Sequence, residues 1–249
     1  MGGANVIVEA ELLKTLLKGL NVLVNEARFR FEQDGLKVMA VDPANVAMVS
    51  VNLPATSCEA YTVDGEEVVV GVDIDRLSDI LKLARKRDTA EMLIDDSNLT
   101  LRFGCLEYGI ALIDPSAIRK EPKEPELELP AKAVLNAGEF KKAIQSADKV
   151  MDHIVFRSDS ESFYIEARGD VDAIKVDFRY DLIEHNKAEA RSMFSVEYLK
   201  EFVKIAGNKD NVTIYLGNDM PLRLHFGVDG GKLEVEYILA PRIETEYLL

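Results

Sequence analysis

Apolar residues recur at positions i, i+3, i+4 and i+7 in four segments of the 249-residue chain. This spacing places the apolar side chains on one face of a helix. It predicts helices over residues 10–21, 73–87, 138–149 and 195–209, with Asp73 and Ser195 as N-caps. The four stripes consist of Leu13, Leu16, Leu17 and Leu20; Leu77, Ile80, Leu81 and Ala84; Phe140, Ala143, Ile144 and Ala147; and Leu199, Phe202, Val203 and Ala206.

Between these segments, apolar and polar residues alternate, which is typical of half-buried strands. Hairpin signals occur at residues 34–35, 64–65 and 229–231. Strand meanders with two helices per half predict an α+β fold, with helices on one face of antiparallel sheets. The predicted strands cover residues 27–31, 36–41, 46–53, 66–72, 99–103, 108–113, 154–157, 163–167, 173–180, 191–194, 212–216, 222–226 and 233–239.

The chain contains an internal repeat. Residues 72–94 align with residues 194–216 without a gap, so that Leu77 matches Leu199 and Lys82 matches Lys204. Upstream, residues 13–20 resemble residues 140–147, and each segment precedes a strand and a turn. Because helix, strands, helix and strands occur twice in the same order, the sequence predicts two similar domains.

A segment rich in proline and glutamate separates the two halves. Its composition is incompatible with a helix or a central strand, so we expect a semi-rigid extended connector. Leu127 and Leu129 alternate with Glu126 and Glu128, which places both leucines on one side. The predicted domains are residues 1–114 and 131–249, joined by a connector over residues 115–130.

Composition and charge exclude several classes of protein. Hydrophobic residues make up 47% of the chain, enough for a substantial core. No apolar run approaches the roughly 18 residues of a membrane span, and no secretory signal is visible. Cys58 and Cys105 are too few for a disulfide framework or a four-ligand zinc site. With 44 acidic against 30 basic residues, the net charge of −14 argues against nucleic acid.

The distribution of charge reverses that argument. The four predicted helices carry 13 Lys and Arg against 8 Asp and Glu, whereas the rest of the chain carries 17 against 36. A shared, mildly basic surface would suit loose contact with phosphates, independent of base sequence. The alternative is that these lysines only solubilise exposed helices and pair with neighbouring acids.

Three motifs in order carry a family resemblance. Residues 34–49 (DGLKVMAVDPANVAMV), 127–130 (LELP) and 237–244 (YILAPRIE), together with the repeat and the connector, resemble the archaeal sliding clamps of the proliferating cell nuclear antigen family. The resemblance covers nearly the whole chain. It leaves unexplained the short N-terminal residues 2–4 and the apolar C-terminal residues 247–249.

The resemblance implies a homotrimeric, pseudo-six-fold ring around duplex DNA, without cofactor, metal or catalytic activity. It implies a cytoplasmic location at the nucleoid, or a nuclear one in a eukaryote, and no membrane partner. The DNA-facing residues would be Lys14, Lys18, Lys82, Arg85, Lys86, Lys141, Lys142, Lys149, Lys200, Lys204 and Lys209.

The resemblance also implies two protein interfaces. Subunits would join through edge strands, using Tyr108, Ile110 and Leu112 of one chain and Ile174, Val176 and Phe178 of the next. DNA polymerase, clamp loader, flap endonuclease and DNA ligase would bind through short hydrophobic peptides. The groove for those peptides would consist of Val41, Met48, Leu127, Leu129, Pro221, Ile238, Ala240 and Pro241.

Two alternatives remain open. One is a subunit of a heterotrimeric or checkpoint-type clamp. The other is a metal-dependent hydrolase, for which the candidates would be Asp73 and Asp75, Asp95 and Asp96, Asp170 and Asp172, and Asp219. The histidines His153, His185 and His225 argue against it, because they are scattered and lack a metal-ligand spacing.

Overall fold

A computed structural model describes residues 2–95 and 97–242. Asp96, Ile243 and Glu244 of the C-terminal motif, and the apolar segment 247–249 lie outside the described residues. The chain divides into two compact units, Met1–Lys123 with Gly230–Val235, and Glu124–Asp229 with Glu236–Leu249. The connector expected over residues 115–130 is thus shared between them, and the domain bounds drawn from the sequence stay predictions.

The first unit consists of two antiparallel sheets and two helices. One sheet has the order β5-β1-β7-β8-β9 and the other contains β6-β2-β3-β4. In chain order the elements are β1 (Ala4–Glu9), α1 (Ala10–Asn21), β2 (Glu26–Glu32), β3 (Gly35–Val41), β4 (Ala47–Pro54), β5 (Ala60–Val63), β6 (Glu67–Asp73), α2 (Ile74–Leu81), β7 (Thr89–Ile94), β8 (Asn98–Phe103) and β9 (Leu106–Ala111).

The second unit has the same plan, with strands in the orders β13-β12-β11-β15 and β14-β10-β16-β17. In β18, residues 233–235 belong to the first unit and the rest to the second. The elements are β10 (Ala131–Asn136), α3 (Ala137–Ala147), β11 (His153–Ser158), β12 (Phe163–Arg168), β13 (Ala173–Asp177), β14 (Leu182–His185), β15 (Ala190–Ser195), α4 (Val196–Phe202), β16 (Asn211–Leu216), β17 (Leu222–Val228) and β18 (Leu233–Leu239).

The register of the strands establishes how the two units correspond. In the first unit β1 pairs with β7 from Ala4 opposite Ile94. In the second, β10 pairs with β16 from Ala131 opposite Leu216. The internal repeat predicted from the sequence is therefore a repeat of strand pairing as well as of element order.

All thirteen predicted strands are present, and five further strands, β1, β5, β7, β10 and β14, were missed. β5 and β14 contain only four residues each, too few to establish an alternation. In β1 and β10 three apolar residues run consecutively, as at Val6–Val8, so a period of two is not visible.

The helices begin as predicted to within one residue, but three of them end earlier. α2 ends at Leu81 and α4 at Phe202, not at residues 87 and 209. Beyond α2 the backbone tightens into turns, with the Leu83 amide donating to the Ile80 carbonyl at 3.1 Å. The apolar stripe nevertheless continues, because Ala84 and Ala206 remain buried. Periodicity alone therefore does not separate helix from the buried turns that follow.

The four apolar stripes are buried over their full length and form the helix side of each core. In the first unit α1 packs beside α2, and in the second α3 packs beside α4. Asp73 caps α2 as predicted, accepting a hydrogen bond from the Arg76 amide at 2.8 Å. Ser195 occupies the N-cap of α4 as predicted, but its side chain makes no cap hydrogen bond.

Candidate nucleic-acid and partner-binding surfaces

The basic excess lies mainly beyond the helices, which corrects the expectation from the sequence. The helices themselves carry six basic and six acidic residues. The candidates within helices are Lys14, Lys18, Lys141, Lys142 and Lys200, whereas Lys82, Arg85, Lys86, Lys149, Lys204 and Lys209 follow helix ends. The turn over residues 82–88 alone has four basic residues and one acidic residue.

Two of these lysines form matching ion pairs in the two units. Lys82 Nζ lies 2.7 Å from Asp79, and Lys204 Nζ lies 2.5 Å from Glu201. The hydrogen bond from Lys82 lowers the pKa of Asp79, and the same bond raises the pKa of Lys82. Because both ion pairs are exposed, they add little to the free energy of folding, and the carboxylates compete only weakly with a phosphate for each lysine.

Two other lysines link the end of one helix to its neighbour. Lys14 on α1 donates to the Ala84 carbonyl in the turn after α2 and also contacts Glu11, both at 2.7 Å. Lys200 on α4 lies 3.0 Å from Asp148, the residue that follows α3. These ammonium groups therefore position turns, and they are less accessible to an external anion than the exposed lysines.

Several basic side chains form no ion pair within the described part of the chain. Lys142 has a distant partner in Glu139, at 3.8 Å. The unpaired group comprises Arg85, Lys86, Arg87, Lys141, Lys149 and Lys209. Arg87 was missed from the sequence, although the repeat aligns it with Lys209, one of the candidates.

The candidates for the peptide groove are partly exposed in most cases. Met48 and Ile238 are buried, while Val41, Pro221, Ala240 and Pro241 are half-buried. In the connector, Leu127 and Leu129 are half-buried and Glu126 and Glu128 are exposed, as their alternation predicts. In the first unit, Val41 lines a cavity of about 680 Å³ bounded by residues 117–120.

Arginines hold the start of the connector, a role that the sequence did not reveal. Arg28 donates to the Ile118 carbonyl at 2.7 Å, and Arg119 donates to the Asp42 carbonyl at 3.1 Å. Arg30 pairs with Glu121 at 2.9 Å. Within the second unit, Arg223 lies 3.4 Å from Glu124. The acidic connector is thus anchored by ion pairs and hydrogen bonds at both ends of residues 118–124.

The strands expected to join subunits lie at sheet edges. β9 is the outer strand of its sheet and β13 is the outer strand of another. Tyr108, Ile174 and Val176 are half-buried, and Leu106 is 38% exposed. Such an apolar, unpaired edge is a ready template for another strand.

Two expected interface residues lie outside these strands. β9 ends at Ala111, before Leu112, and β13 ends at Asp177, before Phe178. The Phe178 side chain is 2% exposed, and its ring lies 6.1 Å from that of Phe163. The strand predicted over residues 173–180 therefore extended too far, because the Asp181 and Leu182 amides donate to the Phe178 carbonyl and turn the chain there.

Known proteins with the same arrangement establish the family. The sequence model described as "Proliferating cell nuclear antigen, N-terminal domain" matches residues 4–107, and that for the C-terminal domain matches residues 123–242. The chain belongs to the proliferating cell nuclear antigen (PCNA) family. The family predicted from the three motifs is confirmed.

Individual PCNA relatives agree with this assignment over nearly their full length. The DNA polymerase sliding clamp of Archaeoglobus fulgidus is 57% identical, covering 97% of this chain and 99% of the relative. The structure described as the C-terminal region of FEN-1 bound to A. fulgidus PCNA matches with a TM-score of 0.95, covering 98% and 100% of the two chains. The PCNA2–PCNA3 complex from Sulfolobus tokodaii is 26% identical, with a TM-score of 0.84 and coverage of 96% and 99%.

Several of the acids and histidines considered for hydrolysis have structural partners in this PCNA chain. Among the described residues, no three His, Cys, Asp or Glu side chains are grouped to hold a metal. Asp73 caps a helix, and Asp95 accepts from the Ser97 and Asn98 amides in a turn. His185 Nε2 lies 2.9 Å from Ser158 Oγ, and the Ser158 hydroxyl donates a hydrogen bond to the Ala188 carbonyl. Burial raises the pKa of Cys58 to about 11, which keeps this thiol protonated.

The described helices of this PCNA chain include none that is both long and apolar enough to cross a membrane.

Proposed function

We propose that this protein is a DNA polymerase sliding clamp, a ring of three identical chains that encircles duplex DNA and tethers replication and repair enzymes. The observation that carries the proposal is the repeat itself. Each unit presents two helices with basic residues at and beyond their ends, and the chain offers two unpaired sheet edges, β9 and β13.

The size of duplex DNA favours three chains. At roughly 10 Å per packed helix, twelve helices form a circle about 38 Å across, which leaves an opening of about 28 Å. Two chains would leave about 15 Å by the same reasoning. B-DNA is roughly 20 Å wide, so only the larger ring admits it.

Contact with DNA would come mostly from the unpaired cations. Arg85, Lys86 and Arg87 extend from one turn of the first unit, and the unpaired cations of the second unit are Lys141 in α3, Lys149 after α3, and Lys209, which aligns with Arg87. Exposed, flexible side chains reach phosphates directly or through water and exchange one phosphate for the next. Because the ring is linked topologically to DNA, weak contacts suffice and permit sliding.

The junction between chains would form by pairing β9 of one chain with β13 of the next. The first unit offers a related contact, where Asn52 of β4 donates to Glu234 of β18 at 3.1 Å. By register β4 corresponds to β13, and β18 follows β17 as β9 follows β8.

Partner enzymes would bind through short hydrophobic peptides against the connector leucines and the residues around Val41. These partners are DNA polymerase, clamp loader, flap endonuclease and DNA ligase. The relative bound to the C-terminal region of FEN-1 supports this part of the proposal. We assign the protein no catalytic activity of its own, and the archaeal relatives support a cytoplasmic site of action at chromosomal DNA.

The test of the ring is light scattering of the purified chain. A mass of about three times 27.7 kDa supports the homotrimer. A stable monomer that trimerises only with other clamp chains would instead favour a heteromeric clamp, of which the PCNA2–PCNA3 complex is an example.

The test of the groove is titration of the FEN-1 C-terminal peptide against Leu127→Ala with Leu129→Ala. We expect affinity to fall at least about tenfold with the trimer intact, because both leucines lose their contact area. Glu126→Gln with Glu128→Gln is the matched control, since those side chains lie on the opposite side of the connector. Undiminished affinity of the leucine variant would remove the connector from the site.

A further inference from the structure

The two units carry related depressions on corresponding sheets. The first is the cavity of about 680 Å³ on β2 and β3. The second, of about 620 Å³, lies on β11, β12, β13 and β15. We call these the first groove and the second groove.

Strand register relates the two grooves residue by residue. Phe31 pairs with Leu36 in the first unit as Ser158 pairs with Phe163 in the second. Continuing along β3 and β12, Met39 corresponds to Glu166 and Val41 corresponds to Arg168. The second groove is therefore the repeat's copy of the surface that includes Val41, with charged side chains where the first has apolar ones.

Each groove is lined by three basic side chains and one carboxylate, but in the first groove Arg28 and Arg119 donate to the backbone carbonyls of Ile118 and Asp42. Basic side chains line the second groove at Arg168, Lys175 and Arg191, and Glu166 is its one carboxylate. Glu166 is shared by Arg157 at 3.5 Å and Lys175 at 3.8 Å, so its charge is already balanced. Arg168 is exposed and forms no ion pair with any described residue. The groove is thus a positive surface on a chain of net charge −14.

The floor of the second groove is apolar. Val155, Ala167 and Met193 line it between the basic side chains. Among the residues that the structure describes, no connector segment lines it, whereas residues 117–120 line the first groove. An open surface with an apolar floor and a cationic rim suits an extended peptide whose apolar and acidic side chains alternate.

We propose that the second groove docks an acidic, extended segment of a protein partner, with its apolar side chains on Val155 and Met193 and its carboxylates at Arg168 and Arg191. The apolar floor favours a peptide over nucleic acid, whose phosphates gain nothing from it. The proposal concerns only residues of the second unit, so its failure would leave the ring and the first groove unaffected.

The experiment uses the full chain with methyl-labelled methionine, because one methionine lines each groove: Met39 the first and Met193 the second. The probe is a peptide of about ten residues that alternates Glu with Leu. We expect it to shift the Met193 methyl resonance and leave that of Met39 in place. A peptide with Gln in place of Glu should bind at least about tenfold more weakly.

Arg168→Glu with Arg191→Glu should abolish the Met193 shift, while the FEN-1 peptide still binds that variant normally. Met39→Glu with Val41→Arg is the matched control, and it should leave the Met193 shift intact. A shift at Met39 alone, equal binding of the Gln peptide, or a Met193 shift caused by a DNA oligonucleotide and not by the peptide would each overturn the proposal.

Discussion

In the first unit Leu83, in the turn after α2, exposes 60% of its surface, whereas Ile205, at the matching position after α4, exposes 5%. The repeat gives both residues the same place beyond the apolar stripe, since Lys82 aligns with Lys204. A single exposed apolar side chain is common on protein surfaces, but the buried copy shows that this position of the repeat suits a covered side chain. We infer that Leu83 contributes to the junction between chains.

The turns that contain these two residues differ in charge as well. The first reads KLARKRD over residues 82–88 and the second reads KIAGNKD over residues 204–210. Both turns end in an aspartate whose carboxylate accepts a hydrogen bond from a backbone amide, that of Arg85 in the first turn and that of Gly207 in the second. The two turns therefore share the same backbone hydrogen bond, while the first turn has two more basic side chains that can contact phosphate.

We expect the largest effect from substitutions of Leu83 and Ile205, which should change different properties of the protein. We expect Ile205→Ala to lower the free energy of unfolding by about 2–4 kcal/mol, because it leaves a cavity in the core. Leu83→Ala should change it by less than about 1 kcal/mol in the monomer, yet increase dissociation of the trimer. Denaturant unfolding and light scattering over a dilution series measure the two quantities. Equal destabilisation with unchanged assembly would contradict the comparison.

The next effect concerns the grooves. Met39→Glu with Val41→Arg gives the first groove the side chains of the second, and we expect it to weaken the FEN-1 peptide at least about tenfold by burying charge against apolar anchors. Glu166→Met with Arg168→Val makes the reverse exchange and should leave that affinity unchanged. Calorimetric titration of both variants decides the matter. If only the second variant lost affinity, the FEN-1 peptide would bind the second unit, which contradicts the proposal.

Several-fold effects are expected for DNA. Arg85→Ala with Lys86→Ala and Arg87→Ala should shorten retention on linear DNA and reduce the salt slope, since each lost phosphate contact removes about 0.9 from it. Lys14→Ala with Lys200→Ala is the control and should have less effect, because these ammonium groups are held by the Ala84 carbonyl and by Asp148. Retention measured from 50 to 200 mM salt, about the range over which phosphate contacts weaken, gives both quantities. Identical slopes would exclude the turn as a contact.

The smallest effect is a pH dependence confined to the second unit, where His185 stands in the position of Tyr61. Burial lowers the pKa of His185 below its ordinary value of 6.5. As the pH falls, His185 therefore takes up its proton in the unfolded chain before it does so in the folded one. The stability that neutral His185 contributes is fully present above about pH 6.5 and is lost as the pH drops towards the folded pKa. Thermal unfolding at pH 7.5 and 5.5 should show this loss, and His185→Gln should reduce it. An unchanged difference in the variant would place the titration elsewhere.

The repeat, most of the strands and the starts of the helices were predictable, because apolar periodicity and helix caps are local signals. Helix ends were not predictable, since Ala84 and Ala206 continue the buried stripe through turns. The anchoring of the connector by Arg28, Arg30 and Arg119 joins residues some 77 to 91 positions apart. No spacing rule reaches that far. Arg87, by contrast, was available from the repeat through its alignment with Lys209.

The split of β18 has a mechanical consequence. Because residues 230–235 cluster with the first unit and the residues on either side with the second, the covalent chain passes between units three times. Pulling the two units of one chain apart would therefore load three lengths of backbone, whereas two chains would be held only by strand edges and side chains. In the proposed ring, neighbouring chains lack any such covalent link, so we expect force to open the ring between subunits before it separates the two units of one chain.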